Sequence, residues 1–291
     1  MAQNPIQWFP GHMAKTRRQM KECLPLVDIV LELIDARIPY SSRNPEIAEL
    51  CGEKPRVTVF TKHSLADPTL TKKWFDIYTA NGETCIVIDS QTGYGLDELP
   101  KIIRATLSEK IERYRAKGME NRVLRAMIVG IPNVGKSSLI NKLAKGKKAK
   151  VENRPGVTLS KQWVPTSIGF DLLDMPGVLW PKFEDATVGE NLAVTGAIAD
   201  KILDTEEIAM LLCARLMSTA KDAFMTRYKL SEEDCDGLDS YDLFELVGRK
   251  RGLLVSGGEV NHERCADMLL EEFRNGKRTS ANGICFDGRR C

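Results

Sequence analysis

No sign of charge dominates this chain: 42 Lys and Arg stand against 40 Asp and Glu in 291 residues, so the overall balance selects no class of partner. Any attraction to nucleic acid has to come from local patches. The eight cysteines, at positions 23, 51, 85, 213, 235, 265, 285 and 291, form no CxxC pair and no Cys/His spacing suited to zinc. Reduced thiols in a cytoplasmic protein are the expectation. The opening residues, Met1-Ala2-Gln3-Asn4-Pro5, lack the basic-then-apolar profile of a signal peptide, and the longest apolar runs are strand-sized, so no membrane partner is expected. Internal repeats and low-complexity tracts are missing too. With 43% hydrophobic residues, the chain is long enough for one full α/β domain and a smaller partner.

Apolar, β-branched runs bounded by turn residues mark five strands: 28–35, 56–61, 84–89, 124–130 and 170–174. Helical stretches between them argue for a mostly parallel sheet. A sixth run, 162–167, lies one short turn (Ile168-Gly169) before Phe170, which predicts an antiparallel edge strand. A charged helical stretch from Lys101 to Lys117 ends at Gly118. Beyond about Leu192 strands give way to helical segments at 206–221, 241–249 and 261–274, and a Gly/Arg/Ser-rich end follows. The expected organisation is an α/β domain over 1–192, an all-helical domain over 193–274 and a flexible tail over 275–291.

Gly130-Ile131-Pro132-Asn133-Val134-Gly135-Lys136-Ser137-Ser138 has the form GxxxxGK[ST] between a strand and a helix, the context a phosphate-binding loop requires. Such a loop aims backbone N–H groups, including those of Asn133, Val134, Gly135 and Ser138, at phosphate oxygens, and the helix beginning at Lys136 adds its positive end. Lys136 then reaches the β and γ phosphates, and the Ser137 hydroxyl ligates Mg²⁺. Downstream, Arg154-Pro155-Gly156-Val157-Thr158 ends in a hydroxyl able to complete the metal shell. Asp174-Met175-Pro176-Gly177 closes a strand as DxxG, its aspartate facing the metal and Gly177 offering an N–H to the γ-phosphate. Each is weak alone, but their order and spacing after the loop point to a GTP/GDP and Mg²⁺ switch.

The base-reading segment precedes the phosphate loop. Guanine is usually read by NKxD, whose carboxylate accepts two hydrogen bonds from the ring N1–H and the exocyclic amine. Here the strand end reads Thr61-Lys62-His63-Ser64, with Thr first and a hydroxyl in place of the carboxylate, and one hydroxyl does not reproduce a charged bidentate acceptor. Asp67 is a candidate substitute one helical turn on, and Ser90 a candidate contact to the base.

Trp8-Phe9-Pro10-Gly11-His12-Met13, Asp35-Ala36-Arg37-Ile38-Pro39, the altered NKxD, the phosphate loop, the DMPG turn and Trp180-Pro181-Lys182 together resemble the circularly permuted GTPases of the bacterial ribosome biogenesis GTPase A type. The likeness is densest from Ile6 to Gly196 and looser in the helical part. It implies a Ras-like P-loop GTPase domain with a mostly parallel six-stranded sheet in permuted order, an RNA-binding helical domain after it, and a role in assembling the large ribosomal subunit with ribosomal RNA and the subunit precursor as partners. Nothing in the chain points to an obligate dimer, so a monomer is expected.

The residue after DxxG, often a water-orienting Gln, is Val178, which neither donates nor accepts a hydrogen bond. His12 is the candidate to orient the water, from a flexible turn at Pro10-Gly11-His12. Three basic clusters favour RNA: Lys15, Arg17, Arg18 and Lys21; Lys142, Lys145, Lys147, Lys148 and Lys150; and Arg249, Lys250 and Arg251. A nucleotide-dependent scaffold with negligible turnover, and a P-loop ATPase or kinase, stay open as alternatives. The permuted order ties the last switch covalently to the helical domain, so nucleotide state is expected to move that domain.

Overall fold

The computed structural model describes residues 11–120, 122–144, 162–276 and 283–288. Among the described residues six strands form where apolar and β-branched residues run together: β1 (Ile29–Asp35), β2 (Arg56–Thr61), β3 (Thr84–Val87), β4 (Leu124–Gly130), β5 (Gln162–Pro165) and β6 (Phe170–Asp174). They build one sheet in the order β3-β2-β1-β4-β6-β5. Every neighbouring pair is parallel except β5 and β6. That pair is the expected hairpin, with Gly169 at φ +82°. All seven residues of β1 are buried, and because successive side chains point to opposite faces, both faces are covered at that strand.

Counted from β4, which carries the phosphate loop, and continued through the chain ends, the strand order becomes 6-5-4-1-3-2. That is the Ras-like order, entered by this chain at the fourth strand. The domain is therefore circularly permuted. The packed sheet is the same whichever loop is cut.

The helix α1 (Gly11–Cys23) precedes β1, and α2 (Glu46–Cys51), α3 (Pro68–Ala80), α4 (Leu99–Thr106), α5 (Ser108–Ala116) and α6 (Lys136–Leu143) connect the strands. The charged stretch expected as one helix is the two helices α4 and α5. Thr106 Oγ1 donates back to Ile102 O at 2.9 Å, a bond that bends helices, and Leu107 at the break is buried in the core.

The remaining helices are α7 (Ala186–Val194), α8 (Thr205–Thr219), α9 (Lys221–Tyr228), α10 (Glu232–Cys235), α11 (Ser240–Lys250) and α12 (His262–Asn275). The apolar side of α8 packs against α7, α9, α11 and α12. Side-chain caps start these helices: Asp204 accepts from Glu206 N and Glu207 N, Asp239 from Asp242 N, and Asn261 from Arg264 N. The boundary expected at 192 falls inside α7, which touches both halves. Asn191 Nδ2 donates to Ser41 Oγ at 2.9 Å, while Ala193 O and Val194 O accept from Arg274 of α12.

Residues 283–288, part of the tail expected to be flexible, pack back on the N-terminal half. Ile284 N donates to Leu65 O at 3.1 Å and Phe286 N to Arg37 O at 2.8 Å. Asp287, only 1% exposed, accepts from Ser41 N at 2.8 Å, Ser41 Oγ at 2.7 Å and Asn191 Nδ2 at 3.0 Å. The bonds that hold this segment in place run to Arg37, Ser41, Leu65 and Asn191, all remote in the chain. Asp287→Ala leaves Ser41 N and Ser41 Oγ buried without this acceptor, while Asn191 Nδ2 keeps Ser41 Oγ, and a loss of about 2–3 kcal/mol in urea unfolding is expected. A change below about 0.5 kcal/mol would show that this strap carries no stability.

Candidate nucleotide site

Parallel strands deliver their C-terminal ends to one edge of the sheet, and Thr61, Gly130 and Asp174 stand at those ends. At the end of β4 the loop makes its tight turn through Gly130 at φ +149°, Asn133 at φ +56° and Gly135 at φ +110°. A Cβ on Gly130 would meet Leu33 O at 2.6 Å, so only glycine lets this loop leave the sheet. Gly135 then hands over to α6, whose first residues Lys136, Ser137 and Ser138 bring free helical N–H groups to the loop.

Lys136 is buried, and its Nζ donates to Gly130 O at 3.1 Å and Ile131 O at 2.7 Å. An ammonium has three protons, so one remains for a ligand. Burial pushes its pKa down to about 8 against the opposing pull of Asp174. Asp174, at the end of β6, is raised by burial, with Lys136 opposing, and its Oδ1 is buried with no hydrogen-bond partner. An orphaned carboxylate oxygen beside a phosphate loop suits a divalent cation. Ser137 is partly exposed near the start of α6. Thr158, the third expected metal ligand, lies outside the described residues.

The DMPG turn sits directly on the phosphate loop. A Cβ on Gly177 would come within 2.6 Å of Pro132 N, and Val178 N donates to Gly130 O at 3.2 Å. Val178 itself is 2% exposed, a core residue. His12 falls in the first turn of α1 rather than in a flexible turn, and its side chain lies outside the described residues.

Thr61, at the end of β2, is buried, with its Oγ1 2.6 Å from Val134 O and 2.9 Å from Ile34 O, so it fastens the base-reading strand to the phosphate loop. Lys62 adopts a left-handed conformation at φ +57°, and its Nζ pairs with Asp35 Oδ2 at 3.0 Å. Burial opposes ionisation of Asp35, but Arg37 and then Lys62 hold its carboxyl well below the usual range. Arg37 meets the same carboxylate through N, Nε and Nη2 and reaches Phe273 O with Nη1. Asp67, considered as a substitute base reader, instead caps α3, accepting from Leu70 N at 2.9 Å.

A carboxylate that the sequence reading missed stands behind Ser64. Asp89, 2% exposed, accepts from Ser64 N at 2.9 Å and Ser64 Oγ at 2.6 Å on one oxygen, and from Gln91 N and Thr92 N on the other. Ser90, next to it, is partly exposed. Asp89 had read as the last residue of a strand, and only the fold brings it to Ser64.

Of the three basic clusters, Lys15, Arg18 and Lys21 are exposed on α1, while Arg17 pairs with Glu46 at 3.0 Å. Lys142 is exposed at the end of α6, and Lys145, Lys147, Lys148 and Lys150 lie outside the described residues. The third cluster is internally paired: Arg249 with Glu245, Lys250 with Asp234 and Arg251 with Glu272. Among the described residues no helix is long and apolar enough to cross a membrane.

The sequence profile of the 50S ribosome-binding GTPases matches residues 125–248, starting in β4. The chain is 49% identical over 273 residues to ribosome biogenesis GTPase A of Priestia megaterium, covering 94% of each chain. Its fold is similar to GDP-bound YlqF (28% identical, TM-score 0.62, covering 92% of this chain and 98% of that one). It is also similar to GNP-bound YlqF from T. maritima (28% identical, TM-score 0.60, covering 90% and 94%). With the phosphate loop on β4, the permuted strand order and a full-length relative at this identity, the chain belongs to the ribosome biogenesis GTPase A family and is a GTPase.

Proposed function

We propose that this GTPase acts as a cytoplasmic monomer in late assembly of the large ribosomal subunit, with its weak intrinsic turnover raised by ribosomal RNA in a subunit precursor. The observation that carries the site reading is a pair of buried, opposite charges, Lys136 and Asp174, with hydrogen-bonding capacity left over. Lys136 is held only by backbone carbonyls, and Asp174 Oδ1 by nothing. A triphosphate with its metal meets both needs. Lys136 binds the β and γ phosphates; the amides of Asn133, Val134, Gly135, Lys136 and Ser138 cradle them; Ser137, Asp174 and Thr158 hold Mg²⁺. When bound there, the metal would supply neutralisation of phosphate charge. Gly177 N–H faces the γ-phosphate, and Thr61, Lys62, Ser64 and Ser90 border the base.

The ribosomal part of the reading is supported by the names of the matched family and relative. The exposed Lys15, Arg18, Lys21 and Lys142 supply phosphate-backbone contacts. The paired cluster at Arg249–Arg251 contributes less, because its charge is already met within the protein.

Lys136→Ala is expected to weaken GTP and GDP binding roughly a hundredfold, an effect on the order of 3 kcal/mol for a charge-assisted phosphate contact. Asp174→Asn should leave metal-free GDP binding nearly intact while Mg²⁺-dependent turnover falls by about 10–100-fold. Titration with fluorescent GDP, with and without Mg²⁺, separates the two, and equal loss in both conditions for Asp174→Asn would remove it from the metal shell.

Because free Lys136 has its pKa pushed down to about 8 and a bound phosphate raises it, nucleotide binding takes up a proton above that pH. Affinity is constant below pH 7 and falls as pH rises through 8, with a log–log slope approaching about −1. Calorimetry in buffers of different ionisation enthalpy reads the proton directly; no uptake at pH 9 would contradict the assignment.

Val178 is buried, so water has to be oriented from elsewhere, and His12 is the proposed group. His12→Ala should lower ribosome-stimulated turnover by about 10–100-fold and leave nucleotide affinity unchanged. Unchanged stimulated turnover would exclude it.

A further inference from the structure

Asp89 has no assigned role, yet it is a buried carboxylate bonded directly to Ser64, the position at which a guanine reader needs one. Ser64 occupies the second position after Lys62, from which NKxD presents its acceptor, and Ser64 is exposed at the mouth of the site. Its hydroxyl is bonded inward: Oγ lies 2.6 Å from Asp89 Oδ2, and Ser64 N donates to the same oxygen at 2.9 Å. A carboxylate with four hydrogen-bond donors around it is ionised, and an ionised carboxylate only accepts. The Ser64 proton is therefore committed to Asp89, and the lone pairs of Oγ face away from it.

We propose that Asp89 determines base specificity by fixing Ser64 as an obligate hydrogen-bond acceptor, so that the pair reads the N1–H of a guanine nucleotide in place of the missing NKxD carboxylate. A free serine hydroxyl discriminates poorly, because it rotates to donate to adenine N1 as readily as it accepts from guanine N1–H. Tied to Asp89, it meets adenine N1 lone pair to lone pair and meets guanine N1–H with a charge-assisted, polarised oxygen. The same carboxylate orders the neighbouring turn through Gln91 N and Thr92 N, which sets Ser90 beside the base. One buried group thereby organises both base-reading segments. A relayed hydroxyl is a weaker and single-pronged acceptor than a carboxylate, so this chain reads guanine less stringently than an NKxD protein.

This inference rests on the nucleotide site proposed above, and the test separates the two. Affinities for GDP and ADP are measured by competition against a fluorescent GDP analogue for the full chain and for Ser64→Ala, Asp89→Asn and the double variant Ser64→Asp/Asp89→Asn. The unmodified chain prefers GDP. Ser64→Ala removes the acceptor, and Asp89→Asn turns an amide donor toward Ser64 and frees its hydroxyl to rotate. Each lowers the GDP/ADP ratio by about tenfold, the worth of one lost hydrogen bond to a purine edge. The double variant places a carboxylate at 64 with an amide donor behind it, and restores the ratio to at least the starting value. Ratios within about twofold of the unmodified chain in both single variants would overturn the proposal. So would a double variant that binds GDP and ADP alike. Should Asp89→Asn unfold, Ser64→Ala decides alone, since its side chain is at the surface. If neither nucleotide binds the unmodified chain, or Lys136→Ala weakens neither, the site reading itself fails.

Discussion

The function depends on one geometric constraint: five parallel strands end at the same edge of a single sheet. Asp35, Thr61, Gly130 and Asp174 are the last residues of β1, β2, β4 and β6, and Asp89 follows β3 by two residues. In an open parallel sheet that edge is where ligands bind, because loops and helix N-termini converge there. Chain order is irrelevant to the convergence. A Ras-like sheet entered at its fourth strand presents the same edge, which is why permutation leaves the phosphate loop, the DMPG turn and the base-reading strand end in contact through Gly177 on Pro132 and Thr61 near Val134.

What the permuted order does change is which elements the nucleotide site is fastened to. Asn133 of the phosphate loop donates to Gly196 O at 2.6 Å, just past α7. Arg274 of α12 holds Ala193 O and Val194 O, and pairs with Asp200. Arg37, two residues after β1, reaches Phe273 O. The phosphate loop is thus joined to the segment after α7, and α7 to α12, through short, directional bonds. The expectation that nucleotide state moves the helical part gains a physical route, since packed elements joined by hydrogen bonds move as bodies.

The features legible in the sequence are those whose physics is local. The phosphate loop, the DxxG turn, the hairpin at Ile168-Gly169 and all six strands follow from residues within ten positions of one another. Features set by distant partners were hidden. The Ser64–Asp89 bond spans 25 positions and Asp287–Ser41 spans 246, so one carboxylate read as the last residue of a strand and the other as part of a loose tail. The basic run at Arg249–Arg251 looked available for RNA because Asp234 and Glu272, which neutralise it, lie elsewhere in the chain. Asp67 fitted by spacing, but its capping bond to Leu70 N is the local use that a residue before Pro68 commonly serves.

Val178 links the site's chemistry to the proposed role. In the core at 2% exposure it helps seat the DMPG turn, with its N bonded to Gly130 O and its carbonyl accepting from Asn44 Nδ2. A residue so enclosed does not orient water, and a Gln there would bury an amide unless the turn rearranged. The residues read as binding phosphate, Lys136 and the loop amides, are distinct from Val178, which takes water positioning out of the DMPG turn, so binding and hydrolysis rest on different groups. Under the proposed role this separation would have a use: the triphosphate form would persist until a partner surface brought the catalytic geometry together, and hydrolysis would then report that the surface had formed. On that reading a buried valine is the feature that makes turnover conditional on a group supplied from outside the DMPG turn.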